Sequence, residues 1–207
     1  MLFRSLKVLP TRLGETTVLV AGKALGLSAA AEGEIKGLIP FTVADATVQQ
    51  MIVQRGASYS LPEPVLIAPV QPAVYSVDGT GRGQGEIYVK VDDQMVLADA
   101  ARPAVNGEEV TIVATGLGAV DPKVPDGAAG AADPVSNVLA SLRVQIQGKE
   151  AVVKSATLAP GKQGRYAIVV AVPEDVTPDA SARVVLTVAE QAVSGPVTMA
   201  VTRVAAP

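Results

Sequence analysis

The chain has 207 residues, a net charge of −3 and apolar side chains at 49% of its positions. This is enough material for one large or two small cores, without the basic surface that holds nucleic acid or an apolar run that spans a membrane. It contains no Cys and no His, which excludes the usual zinc and haem sites, thiol catalysis and every mechanism built on imidazole. Aromatic residues make up 3% of the chain, and 15 Pro and 19 Gly separate short apolar runs. Short apolar runs separated by Pro and Gly are typical of an all-β protein, and the shortage of aromatic residues predicts an aliphatic core.

Short strands are predicted along the whole chain. In the first part they cover residues 16–21, 34–40, 47–54 and 64–70. In the second part they cover residues 85–91, 109–115, 139–147, 151–158, 165–172, 182–189 and 196–204. Apolar and polar residues alternate most clearly over 142–147, which predicts one buried and one solvated face. No long helix is predicted, although the alanine-rich stretches 27–32 and 127–133 could form a turn or two.

The chain repeats itself, and the first copy is short. Val-Leu-Val-Ala-Gly-Lys at 18–23 returns as Val-Gln-Ile-Gln-Gly-Lys at 144–149, and the apolar stretch closed by Pro40 returns as the one closed by Pro173. The second copy has a strand at 109–115 and a long loop before its Gly-Lys turn, whereas the first copy has only about twenty residues before its own turn at 22–23. An incomplete copy of a repeated unit predicts missing chain or a missing partner.

The predicted organisation is two immunoglobulin-like antiparallel β-sandwiches in tandem, with residues 6–72 as an incomplete first unit and residues 73–207 as a complete second one. Two prolines at 69 and 72 mark the extended connector between them. We expect the first unit to present an open sheet edge or groove, and a protease-resistant core to begin near Ala73. Met1–Ser5 also matches the in-frame translation of a common sequencing adapter, so a non-native start is expected; a genuine short start that folds onto the first sheet is the alternative.

Several segments carry a family resemblance that spans nearly the whole chain after Ser5. They are residues 9–14, 39–41, 73–75, 106–118, 124–128, 144–149, 158–161 and 166–173. In order, spacing and residue identity, these segments resemble the Solibacter-type uncharacterised C-terminal domain. That domain is found at the ends of large exported bacterial proteins. The resemblance implies tandem immunoglobulin-like modules in an extracellular or cell-surface setting, and it brings no catalytic residues with it. The chain departs from the pattern by lacking the opening strand before Leu9 and by having Glu34-Ile35-Lys36 where a Gln-Ile-Asn-like run is common.

Each candidate site in the sequence has a plainer structural interpretation. The glycine-rich run 79–85 lacks the ending of a phosphate-binding loop and is predicted to be a flexible interdomain loop. The aspartates could ligate calcium only with unusual spacing and are predicted to be turn residues; they are Asp92, Asp93 and Asp99, or Asp121, Asp126 and Asp133. Glu108 and Glu109 suggest a glycosidase pair but are better explained as a solvated strand edge. We therefore predict no catalytic, cofactor-binding or metal-binding residue and no cofactor.

Three functions from different classes remain open. The first is a non-catalytic structural or presentational module at the C-terminal end of a larger exported protein, whose partners are the other domains of that protein. The second is an adhesion module for glycans or surface proteins, against which the shortage of aromatic side chains weighs. The third is an extracellular filament subunit that is completed by a donated strand.

Overall fold

The fold is all-β, as predicted. The computed structural model describes residues 8–203, and in that range the chain forms twenty strands and no helix. None of these residues therefore belongs to a helix that is long and apolar enough to cross a membrane. The expected non-native start at Met1–Ser5 lies outside the described residues.

The chain divides into two compact units. The first consists of the chain up to Pro69 together with Ala119–Ser136 and Ala159–Gly164. The second consists of Val70–Gly118, Asn137–Leu158 and the chain from Arg165 onward.

The first unit is a small two-layered structure. Its strands are β1 (Thr16–Val20), β2 (Lys23–Ala24), β3 (Gly26–Ala31), β4 (Glu34–Leu38), β5 (Thr47–Arg55), β6 (Ser58–Tyr59), β7 (Glu63–Ile67) and the short β13 (Val120–Asp121). One sheet has the order β2-β1-β5-β6, with β7 also paired to β5, and the hairpin β3-β4 forms a second sheet. Alternate residues of β1 and β5 point inward because successive strand residues face opposite sides. The core contains Val18, Val20, Leu25, Leu27, Val43 and Ile67.

The second unit is a two-layered sandwich. Its strands are β8 (Ala73–Val74), β9 (Ile87–Val91), β10 (Gln94–Leu97), β11 (Ala104–Val105), β12 (Glu109–Thr115), β14 (Asn137–Val138), β15 (Leu142–Ile146), β16 (Lys149–Leu158), β17 (Tyr166–Ala171), β18 (Asp179–Val188), β19 (Ala192–Val193) and β20 (Val197–Thr202). One layer runs β10-β9-β12-β17-β16 and the other runs β16-β15-β18-β20-β11. β16 contributes to both layers, because its first residues pair with β15 and its later residues pair with β17. β11 is parallel to β20, whereas the other strands in these two layers pair antiparallel with their neighbours. This is the strand pairing of an immunoglobulin-like sandwich.

The strand predicted at 109–115 forms, and it is an interior strand. It pairs with β17 on one side and with β9 on the other. Val110, Ile112 and Ala114 alternate into the core and are each at most 1% exposed. Two other segments differ from the prediction. Residues 26–31 form β3 instead of helical turns, because they pair along β4. Residues 94–97 form β10, a strand that the sequence pattern did not indicate. In both cases pairing with a neighbour overrides local propensity.

The repeat in the sequence is also a repeat in structure. β1 and β15 are each followed by a tight turn, with φ angles of 52° and 74° at Ala21 and Gly22, and of 50° and 75° at Gln147 and Gly148. A bulge interrupts β3 against β4, and another interrupts β16 against β17 at the corresponding place. β5 pairs with β1, β6 and β7, just as β18 pairs with β15, β19 and β20. The first unit therefore corresponds, strand by strand, to the part of the second unit that follows its long loop.

The first unit has no counterpart of β8–β12 among the described residues. In the second unit, β12 pairs with the edge of β17 that β16 leaves free. β4 is the equivalent of β17, yet in the described part of the chain it pairs only with β3. One edge of β4 therefore has no partner strand among residues 8–203, and we call it the open edge.

The observed units differ from the predicted ranges 6–72 and 73–207, because two segments predicted for the second unit belong to the first. The backbone N–H of Leu9 donates to the carbonyl of Gly127 at 2.8 Å, and Val8 forms an antiparallel bridge with Ala128. The hydroxyl of Thr42 donates to Asp126 Oδ2 at 2.5 Å. These bonds are non-local, so no sequence pattern near Pro69 reports them.

Candidate functional site

The glycine-rich run 79–85 is an ordered loop of the second unit and not an interdomain linker, which corrects the prediction. The N–H of Thr198 donates to the carbonyl of Gly83 at 2.7 Å, and the N–H of Gly85 donates to the carbonyl of Thr198 at 2.8 Å. At the start of the loop, the N–H of Thr80 and the hydroxyl of Ser76 both donate to Asp78 Oδ1, at 3.0 and 2.7 Å. These donors, led by the Thr80 backbone N–H, stabilise the carboxylate and lower the pKa of Asp78.

The aspartates considered as calcium ligands have separate structural roles. Asp92 and Asp93 form the turn between β9 and β10, with φ angles of 46° and 62°. Asp99 Oδ1 accepts hydrogen bonds from the N–H groups of Ala101 and Arg102. Within residues 8–203, no group of three or more Asp, Glu, His or Cys residues has a geometry that could hold a metal ion.

Asp121 and Asp133 lie at exposed positions in the segment Ala119–Ser136. Each precedes a proline across a cis peptide bond. Asp126, in the same segment, accepts the hydrogen bond from Thr42. The three aspartates of this loop are therefore found in turn and tethering positions.

Glu108 and Glu109 do not act as a pair. Glu108 forms a salt bridge to Arg102 Nη2 at 2.5 Å and accepts the N–H of Val105 at 2.8 Å. Glu109 opens β12 at an exposed position. The Glu108 carboxylate therefore fixes the turn that leads from β11 into β12.

The turn after β12 requires a glycine at position 116. A Cβ atom on Gly116 would lie 1.8 Å from the carbonyl oxygen of Gln71, and φ at Gly116 is +72°. Gln71 donates its own N–H to the carbonyl of Gly116 at 2.8 Å. The hydroxyl of Tyr166 donates to the carbonyl of Gly118 at 2.7 Å. This strand end is a closely packed structural turn.

One cluster of polar and aromatic side chains was not found by sequence reasoning. Arg165 Cζ lies 4.1 Å above the centre of the Tyr75 ring, and its Nη1 lies 2.6 Å from Glu86 Oε2. Tyr88 is on the same strand face as Glu86, because the two are separated by one residue in an extended segment. Burial, followed by the nearby Glu86 charge, raises the pKa of Tyr88.

This surface, which we call the tyrosine cluster, consists of Tyr75, Glu86, Tyr88 and Arg165. It brings two of the four tyrosines of the chain together with a guanidinium and a carboxylate. Tyrosine and arginine are over-represented where proteins bind other molecules. The only local signal is the spacing of Glu86 and Tyr88, since Tyr75 and Arg165 reach the site through strand pairing.

Comparison with known proteins gives little further information. No family model matches the sequence, and no curated protein does. A structure search aligns the chain with the crystal structure of the I9-I11 tandem from titin, at 10% identity and a TM-score of 0.27. The alignment covers 91% of this chain and 55% of the titin chain, so this chain spans about half the length of that structure. The immunoglobulin-like assignment therefore rests on the strand pairing described above.

Proposed function

We propose that this chain is a non-catalytic structural or presentational β-sandwich module at the C-terminal end of a larger exported or cell-surface protein. The observation that carries the proposal is that carboxylate side chains hold loops and turns in place through hydrogen bonds and ion pairs. Glu108 fixes the turn before β12, Asp99 fixes the turn after β10, and Asp126 holds a long loop to Thr42. Contacts of this kind preserve the shape of the surface, which is what a spacer or anchoring tail requires.

The proposed partners are the other domains of the same parent protein, and the proposed setting is extracellular. Both draw on the resemblance to the Solibacter-type C-terminal domain.

An antibody against this chain tests the proposal in cells of its source. Immunoblots of cytosolic, surface and secreted fractions should show a band well above 21.0 kDa, the mass of this chain, in the surface or secreted fraction. A band at the mass of the chain alone, confined to the cytosol, would contradict the proposal. Antibody absorbed with the purified chain is the control for cross-reaction.

The tyrosine cluster favours adhesion to glycans or surface proteins as a second candidate function. Its test is binding of the labelled chain to a glycan array and to cells of the source, with Arg165→Ala as the variant. Arg143→Ala is the matched control, because Arg143 also forms a surface ion pair in the second unit, at 2.8 Å from Glu150. Binding that Arg165→Ala removes and Arg143→Ala keeps would support adhesion, and binding that neither variant changes would exclude this cluster.

A further inference from the structure

We propose that the open edge of β4 is a strand-acceptor site, which binds an extended peptide segment of a partner in the place that β12 occupies in the second unit. The segment would run antiparallel to β4 and carry alternating β-branched apolar side chains. This inference goes beyond the module function, because it gives the first unit a binding activity.

Burial at equivalent positions is the first argument. Ile35 pairs with Ala30 in β3, and Ile168 pairs with Ala156 in β16, one position beyond the same bulge. Ile168 is 0% exposed, but Ile35 is 38% exposed.

The same difference in side-chain exposure between the two units recurs four residues further along the chain. Val172, just before Pro173, is 1% exposed, and Ile39, just before Pro40, is 42% exposed. The first unit therefore exposes side chains that β12 and its neighbours cover in the second unit. Covering them would remove apolar surface from water, at about 25 cal/mol for each Å².

The backbone at this edge is able to pair. β4 contains no proline, and all of its residues have N–H groups. β7 is an outer strand of the larger sheet of the first unit, and it contains Pro64 and follows Pro62. Proline has no N–H to donate and is typical of edge strands that do not accept a neighbour. Strand addition is therefore favoured at β4 and disfavoured at β7.

The second unit shows which kind of strand fits. Ile112 of β12 lies directly opposite Ile168, and Val110 lies opposite Val170. An equivalent partner strand would place an apolar side chain opposite Ile35 and another opposite Gly37. On the other face of β4, Glu34 and Lys36 are exposed, and Lys36 Nζ lies 3.4 Å from Glu34 Oε1. The outward side chains of the partner should therefore be polar.

The partner is not the β12 strand of a second copy. That strand is paired on both sides within its own unit, by β9 and β17, and removing it would expose Val110, Ile112 and Ala114. Donation would therefore cost most of the stability of the donor unit. A free or terminal extended segment pays only the entropy of ordering a peptide.

A peptide that copies residues 107–116 of this chain is the direct probe. We expect the fluorescently labelled peptide to bind the intact chain saturably, in a one-to-one complex, and to protect the amides of 34–38 from hydrogen exchange. A scrambled peptide of the same composition loses the alternation and should not bind. Ile35→Asp should weaken binding at least about tenfold, a loss of about 1.4 kcal/mol.

Val152→Asp is the matched control, because Val152 is a 62% exposed strand residue of the second unit; it should leave binding unchanged. If Ile35→Asp perturbs folding, Ile39→Asp and the exchange protection of the unmodified chain give independent readouts. No saturable binding up to about millimolar peptide, a weaker limit than that of ordinary specific complexes, would overturn the proposal. Equal binding of the scrambled peptide would overturn it as well. So would self-association of the chain that the peptide cannot compete, because a second copy would then cover this edge.

Discussion

Ile35 in the first unit and Ile168 in the second lie at the same register of the same hairpin, yet the first is 38% exposed and the second is 0% exposed. The local sequence around them is similar in pattern, and both hairpins carry the same bulge. What differs is the neighbouring strand, since β12 pairs with β17 and, among the described residues, no strand takes that place beside β4. Burial of a strand residue is thus decided by the strand beside it as much as by its own pattern.

The largest expected effect comes from a matched pair of isoleucine substitutions, one at a buried position and one at an exposed position. Ile168→Ala removes fully buried methyl groups and should lower the free energy of unfolding by about 2–5 kcal/mol. Ile35→Ala removes exposed ones and should change it by about 0.5 kcal/mol or less. Urea denaturation followed by circular dichroism measures both. Equal losses would mean that Ile35 is covered in solution and that the edge of β4 is not open.

The tether between Thr42 and Asp126 tests the composition of the first unit. Asp126→Ala removes a hydrogen bond from a segment that is distant in sequence, and should cost about 0.5–1.5 kcal/mol. Hydrogen exchange should then become faster in β1 and β5 and stay unchanged in β12 and β17. Asp133→Ala, at an exposed position of the same segment, is the control and should change neither. Faster exchange confined to the second unit would contradict the assignment of this segment to the first.

Tyr166 gives the second unit a pH dependence. Burial raises the pKa of Tyr166 from 10.0 to about 12, so the folded state prefers the neutral phenol. Its contribution to stability is fully present below pH 10 and is lost as the pH rises towards about 12.

Tyr166→Phe removes the hydrogen bond to Gly118, at a cost of about 1 kcal/mol near pH 8. It should also flatten the loss of stability between pH 10 and 12, as measured by urea denaturation at each pH. Tyr59→Phe, at a 64% exposed position of the first unit, should keep the pH dependence of the parent chain. A Tyr166→Phe variant that loses stability with the same slope would show that other groups cause it.

The smallest effect concerns the two tight turns, where the units should behave alike. Ala21 and Gln147 have φ angles of 52° and 50°. These values lie in the left-handed region, which residues other than glycine adopt at a cost of about 1 kcal/mol. Ala21→Gly and Gln147→Gly should each relieve part of this cost, by a few tenths of a kcal/mol once the greater freedom of the unfolded chain is included. Thermal melts of both variants measure it. A gain in one turn and a loss in the other would break the equivalence of the two hairpins.

Sequence alone was sufficient for the parts of this fold that depend on local alternation. The strand at 109–115 follows from periodicity, and the Gly-Lys turn marks the repeat. Periodicity leaves open which alternate set faces the core, Val110 and Ile112 or Thr111 and Val113, and the burial of the first pair decides it. The alanine-rich β3 was missed because alanine favours helices, and only pairing with β4 makes this segment a strand. The division between the units was not predictable from a proline-rich connector, since the bond from Leu9 to Gly127 joins residues far apart in the chain.

The two candidate surfaces also depend on contacts between residues that are far apart in the chain. The open edge was expected from the shortness of the first copy, but its location on β4 required the strand order. The tyrosine cluster required three-dimensional information, because Tyr75 and Arg165 are brought together only when β12 pairs with its neighbours.

The first unit is assembled from three separate stretches of chain, which changes what a protease can do to it. The polypeptide leaves or re-enters this unit after Pro69, Gly118, Ser136, Leu158 and Gly164. A single cut in the connector near Pro69 would leave the amino-terminal fragment bonded through Leu9 and Thr42 to Gly127 and Asp126. The nicked molecule should therefore elute as one particle and separate into two bands only after denaturation, so that a protease cut at this connector would leave both fragments associated.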